Sequence, residues 1–61
     1  MKFSLDFNCD NAPFSDFPEF EIARILRSVA DRVEDGDRDQ SGLIFDAYGN
    51  RVGEWNIEEE N

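Results

Sequence analysis

Histidine is absent from the chain. With it go the commonest general base near neutral pH and the commonest metal ligand, so the expectation is a protein that is not an enzyme and carries no cofactor. Cys9 is the only cysteine, which excludes an internal disulfide, a CxxC redox pair and a multi-cysteine zinc site. Without an activating base its thiol reads as inert, at the end of a strand. Positive charge is scarce as well: six Lys and Arg stand against fifteen Asp and Glu, a net charge of −9. Such a field repels nucleic acid and membrane surfaces and draws basic proteins or cations from a distance. No apolar run approaches membrane-spanning length, and Asp6 and Asp10 interrupt the opening MKFSLDFNCDNA where a secretory leader needs continuous apolarity. A soluble protein of the cytoplasm is expected.

What the chain does have is aromatic mass. Six Phe, Trp55 and Tyr48 within 61 residues, 39% of them hydrophobic, supply more apolar surface than a disordered acidic tail carries. One small domain follows, with a core that only just offsets the entropy of ordering the chain, so help from a partner or a second copy is expected.

Residues 2–7, KFSLDF, alternate apolar and polar and predict a strand with Phe3, Leu5 and Phe7 on one face. The stretch 8–16 is dense in Asn, Asp and Ser and predicts a loop, with Phe14 and Phe17 lying back on the core. Asp16 followed by Glu19 forms a capping-box pattern, and Pro18 is tolerated in a first turn, so a helix is predicted over 17–35. Ile22, Ile25, Leu26, Val29, Ala30 and Val33 make its apolar stripe. Glu21, Arg24, Arg27, Asp31, Arg32 and Asp35 make its solvated face, where Arg27 and Asp31 are spaced to pair. A hairpin is predicted over 42–57 around AYGN, with Gly49 in the left-handed turn position, and residues 58–61 read as a frayed acidic tail. The fold class is α+β with order β-α-β-β: a three-stranded antiparallel sheet with one helix packed on one face. Strict alternation puts Ile44 and Val52 on one side of the hairpin and Leu43, Phe45 and Trp55 on the other. Trp55 then either anchors an exposed contact patch, able to form a homodimer, or belongs to the core.

The stretch DRDQSGLIFDAY, residues 37–48, begins like a calcium loop. Asp37, Asp39 and Ser41 stand at ligand positions, Gly42 at the turn and Ile44 at the apolar position, but Tyr48 occupies the place of the bidentate Glu. Weak cation binding through Asp37, Asp39 and Ser41 is the minor reading. The main one is electrostatic. Asp31, Glu34, Asp35, Asp37 and Asp39 crowd the helix C-terminus, where the macrodipole and mutual repulsion make carboxylates unfavourable. Charge kept in a costly place points to a use, and carboxylates spaced like duplex phosphates compete for a basic nucleic-acid channel. Acidity serving solubility alone is the plainer reading of the same residues.

The segments IARILRSVADRVEDG (22–36) and SGLIFDAYGNRVGEW (41–55), after the opening FSLDFNCDNAPF, resemble small acidic proteins encoded by bacteriophages and prophages. In size and charge the chain is similar to anti-CRISPR proteins directed against type I systems. The resemblance implies a phage accessory protein in the bacterial cytoplasm. It would bind and block a basic nucleic-acid-binding surface of a host defence complex, possible targets including a type I CRISPR effector, without contacting nucleic acid or membrane itself. Asp31, Glu34, Asp35, Asp37, Asp39 and Trp55 are the residues expected to meet the partner. The alternative is a calcium-binding or protein-interaction module acting through the DxDxSG loop or the Trp55 sheet face.

Overall fold

The computed structural model describes residues 1–36 and 40–59. Strand β1 (Lys2–Phe7) leads through a short 3-10 turn at Ala12–Phe14 into helix α1 (Pro18–Asp35), then β2 (Ser41–Phe45) and β3 (Arg51–Glu58). The sheet is antiparallel with order β1-β3-β2, so β3 is central and β1 and β2 are both edges. The chain is therefore α+β with one helix on one face of a three-stranded sheet. No described helix is long and apolar enough to cross a membrane.

The predicted capping box does not form. Phe17, not Asp16, is the N-cap residue, and no side chain caps the helix start. Pro18 holds the first helical position, where it has no donor to satisfy, and the Phe20 amide bonds the Phe17 carbonyl at 3.1 Å. Phe14 is buried as expected, whereas Phe17 is 61% exposed.

The hairpin turn rests on Gly49, whose φ of +84° is the left-handed conformation its position suggested. The register shifts after Ile44: Ile44 faces Gly53, but Phe45 faces Arg51. Val52 is thereby the extra residue of a β-bulge, and a bulge turns side chains three apart towards the same face. Val52 and Trp55 both point under the helix, where they join Phe14, Ile25, Val29 and Ile44 in the buried core. Of the two placements open to Trp55, the core is the one found, and no exposed patch forms around it. Trp55 is only 2% exposed, while Leu43 and Phe45 remain on the outer face without it.

Opposite Trp55 in the ladder stands Gly42. A Cβ there would collide with the Trp55 indole and with Arg32 Nη2, so the glycine makes room for the ring. The Arg32 guanidinium lies 5.6 Å from the ring centroid as a cation–π contact, and Phe3 packs on the same indole at 6.2 Å.

Candidate functional site

The helix does not present the faces that apolar spacing alone indicates. Glu21, expected on the solvated side, is in line with Ile25 and Val29 and is buried with them. Its carboxylate accepts from Arg24 twice, Nε to Oε1 at 2.7 Å and Nη2 to Oε2 at 2.9 Å, and from the Ala47 amide at 2.8 Å. Arg24 Nη2 also donates to the Phe45 carbonyl at 3.2 Å. A helix residue thus braces the hairpin turn through its backbone. Among the described residues, Glu21 with Arg24 is the ion pair found, in place of the expected Arg27 with Asp31.

Beside it, Asp46 organises the turn. Oδ1 accepts from the amides of Tyr48 at 2.9 Å and Asn50 at 3.0 Å, and Oδ2 accepts from Asn11 Nδ2 at 2.9 Å and Asn50 Nδ2 at 3.2 Å. Four donors on one buried carboxylate fix the hairpin tip and tie it to the 3-10 loop. Burial pushes this carboxyl upward, but the bonds from Asn50, Asn11 and Tyr48 outweigh it and the pKa falls below 3.8. For Glu21 the Arg24 hydrogen bond dominates, burial opposes it, the Ala47 amide adds to it, and the pKa falls below 4.5.

Both shifts make stability depend on acid. Each group is more easily protonated in the unfolded chain, so its contribution is complete above about pH 4.5 and is lost as pH falls through the lower folded values. We expect the urea midpoint to hold between pH 7 and pH 5 in this respect and to drop steeply below about pH 4. The double variant Glu21→Gln, Asp46→Asn should be less stable at neutral pH and lose most of that slope. An unchanged slope in the double variant would contradict the assignment.

The acids expected to meet a partner are distributed differently. Twelve of the fifteen acidic residues are described; Glu21 and Asp46 are buried and the other ten are exposed. Asp31, Glu34 and Asp35 lie exposed on the C-terminal half of α1. Asp37 and Asp39 lie outside the described residues. Ser41 and Gly42 sit in β2 and Ile44 is in the core, so the rest of the calcium-loop pattern is sheet. No group of three or more His, Cys, Asp or Glu able to hold a metal ion occurs among the described residues.

Two features escaped sequence reasoning. On the outer sheet face Asp6 stands directly opposite Glu54, a like-charge cross-strand pair that destabilises a sheet. At the other end, Phe17, Phe20 and Tyr48 are 61%, 69% and 73% exposed. The two Phe rings pack at 5.6 Å, and with Pro13, Asp16 and Tyr48 they line an open cleft of about 440 Å³. Exposed rings this close together, with carboxylates beside them, have the composition of a protein contact. The sequence signal for the cleft is FPEF itself: Phe17 and Phe20, three apart, share one side of the helix start, and Phe20 is in the row of Arg24 and Arg27, not that of Ile25 and Val29.

No family model, curated protein or solved structure matches the chain.

Proposed function

We propose that the chain is a non-catalytic inhibitor that occupies a basic, nucleic-acid-binding surface of a bacterial defence complex, acting as a phage-encoded charge mimic of the anti-CRISPR kind. The observation that carries this reading is the disposition of charge. Both buried carboxylates are saturated with internal donors, Arg24 is matched to Glu21, and Arg32 is turned onto Trp55 and the Leu43 carbonyl. The remaining described acids all face outward on a braced scaffold. The molecule is 42 Å long, the length of about 12 base steps of duplex at 3.4 Å each. A surface of this kind gathers a basic partner at long range and gains from the release of its counterions. The rings of Phe17, Phe20 and Tyr48 add a short-range anchor, which charge alone does not supply.

The two contributions separate experimentally. Replacing Asp31, Asp35, Asp37 and Asp39 by Asn and Glu34 by Gln should raise the unfolding midpoint, since Asp31, Glu34 and Asp35 oppose the macrodipole at the C-terminal half of the helix, and should abolish inhibition. Inhibition that survives all five replacements would remove these residues from the interface. Phe20→Ser should leave the fold intact, because the ring is exposed, and should speed dissociation from the partner about tenfold or more. An unchanged dissociation rate would assign the cleft no role.

A further inference from the structure

The two sheet edges are finished differently. The Asn8 amide bonds the Val52 carbonyl, which extends the β1–β3 ladder and sets its alternation: the even residues of β1 bond β3, and the backbone groups of Phe3, Leu5 and Phe7 point to the open side. The bond from the Ile57 amide to the Gln40 carbonyl does the same for β2, whose open side carries Leu43 and Phe45. That edge is closed by the helix: Arg32 Nη1 donates to the Leu43 carbonyl at 2.7 Å and Arg24 Nη2 to the Phe45 carbonyl. Towards β1 the helix turns Leu26, Ala30 and Val33, which have no hydrogen-bonding side chains. With Phe3, Leu5 and Val29 they line an open, largely apolar groove of about 600 Å³, with Glu34 as its one charged lining residue.

We propose that this edge and groove receive a second copy of the chain, the two β1 strands pairing antiparallel about a two-fold axis at Ser4. The register follows from the alternation and the charges. Residues with outward backbone groups must pair with each other, so Phe3 meets Leu5 of the second copy and exchanges both backbone hydrogen bonds with it, twice over by symmetry. The same register sets Lys2 against Asp6 of the second copy in a non-hydrogen-bonded pair, where side chains approach most closely. Two such pairs form. They also resolve the unfavourable opposition of Asp6 and Glu54, since each Asp6 gains a Lys2 on its free side. Shifting the pairing by two residues would set Asp6 against Ser4 and lose both charge pairs. On the helix side Phe3, Leu5 and Leu26 of the two copies close over one another, so each groove becomes the wall of the other. A six-stranded sheet under two helices results, its remaining edges the arginine-capped β2 strands.

A basic or unrelated peptide adding to β1 would use the same backbone groups, but the alternation of Lys2, Ser4 and Asp6 is self-complementary, and that favours the second copy. Each copy carries −9, so the dimer forms against mutual repulsion and should tighten as salt screens it. This separates the inference from the charge-mimic reading, whose complex should loosen with salt; either can fail alone.

The test is sedimentation equilibrium of the full chain across a wide concentration range at low and high salt, with amide exchange followed in parallel. A reversible dimer, tighter in high salt, with amides of Phe3 and Leu5 protected as concentration rises, is expected. Lys2→Glu and Asp6→Lys should each weaken self-association about tenfold, and an equimolar mixture of the two variants should restore it as a heterodimer. Leu26→Lys, at a position 46% exposed and so tolerated by the fold, should weaken it about a hundredfold. A monomer throughout, or a dimer indifferent to Lys2→Glu and Leu26→Lys, would overturn the proposal.

Discussion

Trp55→Ala is expected to remove most of the stability of the fold and bring the chain to the edge of unfolding at room temperature. Removing a buried Trp costs about 3–5 kcal/mol, and a domain of 61 residues has only roughly 3–9 kcal/mol to lose. The site has little means of collapsing to refill the space: Gly42 lies under the ring, and Arg32 and Phe3 are positioned by it. Trp55→Phe should retain the fold with a lower midpoint, because it keeps most of the apolar volume and none of the indole N–H. That N–H has no acceptor among the described residues, so its loss leaves no described acceptor unpaired. Circular dichroism of the two variants decides the matter. A well-folded Trp55→Ala protein with impaired partner binding would restore the exposed-patch reading.

Glu21→Ala should be the most damaging substitution of a charged residue outside the hairpin tip. It strips Arg24 of its bidentate partner and leaves the Ala47 amide without an acceptor. Hydrogen bonds to charged groups contribute about 1.5–3 kcal/mol each when buried, but the Arg24 side chain is about half exposed and water can take over part of its solvation. A net loss of about 2 kcal/mol follows, which for so small a domain lowers the midpoint by about 10 °C. Arg24→Ala should cost less, and the double variant less than the sum of the two, because the partners share one interaction. Strict additivity in this cycle would show that the brace is not coupled as its geometry requires.

Much of the architecture could be read from residue order. The alternation of KFSLDF, the helical spacing from Ile22 to Val33 and the glycine at the tip of DAYGN each depend on local backbone geometry, and each element lies where those patterns put it. What resisted reading depends on contacts between elements. The bulge at Val52 reverses the face of everything before it relative to Trp55, and RVGEW has no pattern that forces an extra residue. The charge of Glu21 marks it as a surface residue, although it stands four residues before Ile25 and eight before Val29, within the buried row, and has an arginine three residues on to neutralise it. Asp46 had a clearer sign, an Asp opening a turn that contains Gly49, but its bond to Asn11, 35 residues earlier, has none.

The candidate site divides the same way. The abundance of exposed acid was legible in composition, whereas the aromatic cleft, the Asp6–Glu54 opposition and the unequal sheet edges appear only once the strands are in register. The partition of arginines matters most for function. Arg24 is neutralised by Glu21 as it caps the β2 edge, whereas Arg32 keeps its charge there and stands with Lys2, Arg27 and Arg51 as the described side-chain cations left beside ten exposed carboxylates.

The most direct test of the charge-mimic account is capture of partners by the tagged protein from nuclease-treated lysate of bacteria that carry defence systems, washed at rising salt, with the captured protein then assayed for duplex binding with and without the 61-residue chain. The account predicts one basic nucleic-acid-binding protein, released as salt rises and unable to hold duplex while the chain is bound. A partner that resists high salt and still binds duplex in the complex, or recovery of no protein other than the chain itself, would contradict it.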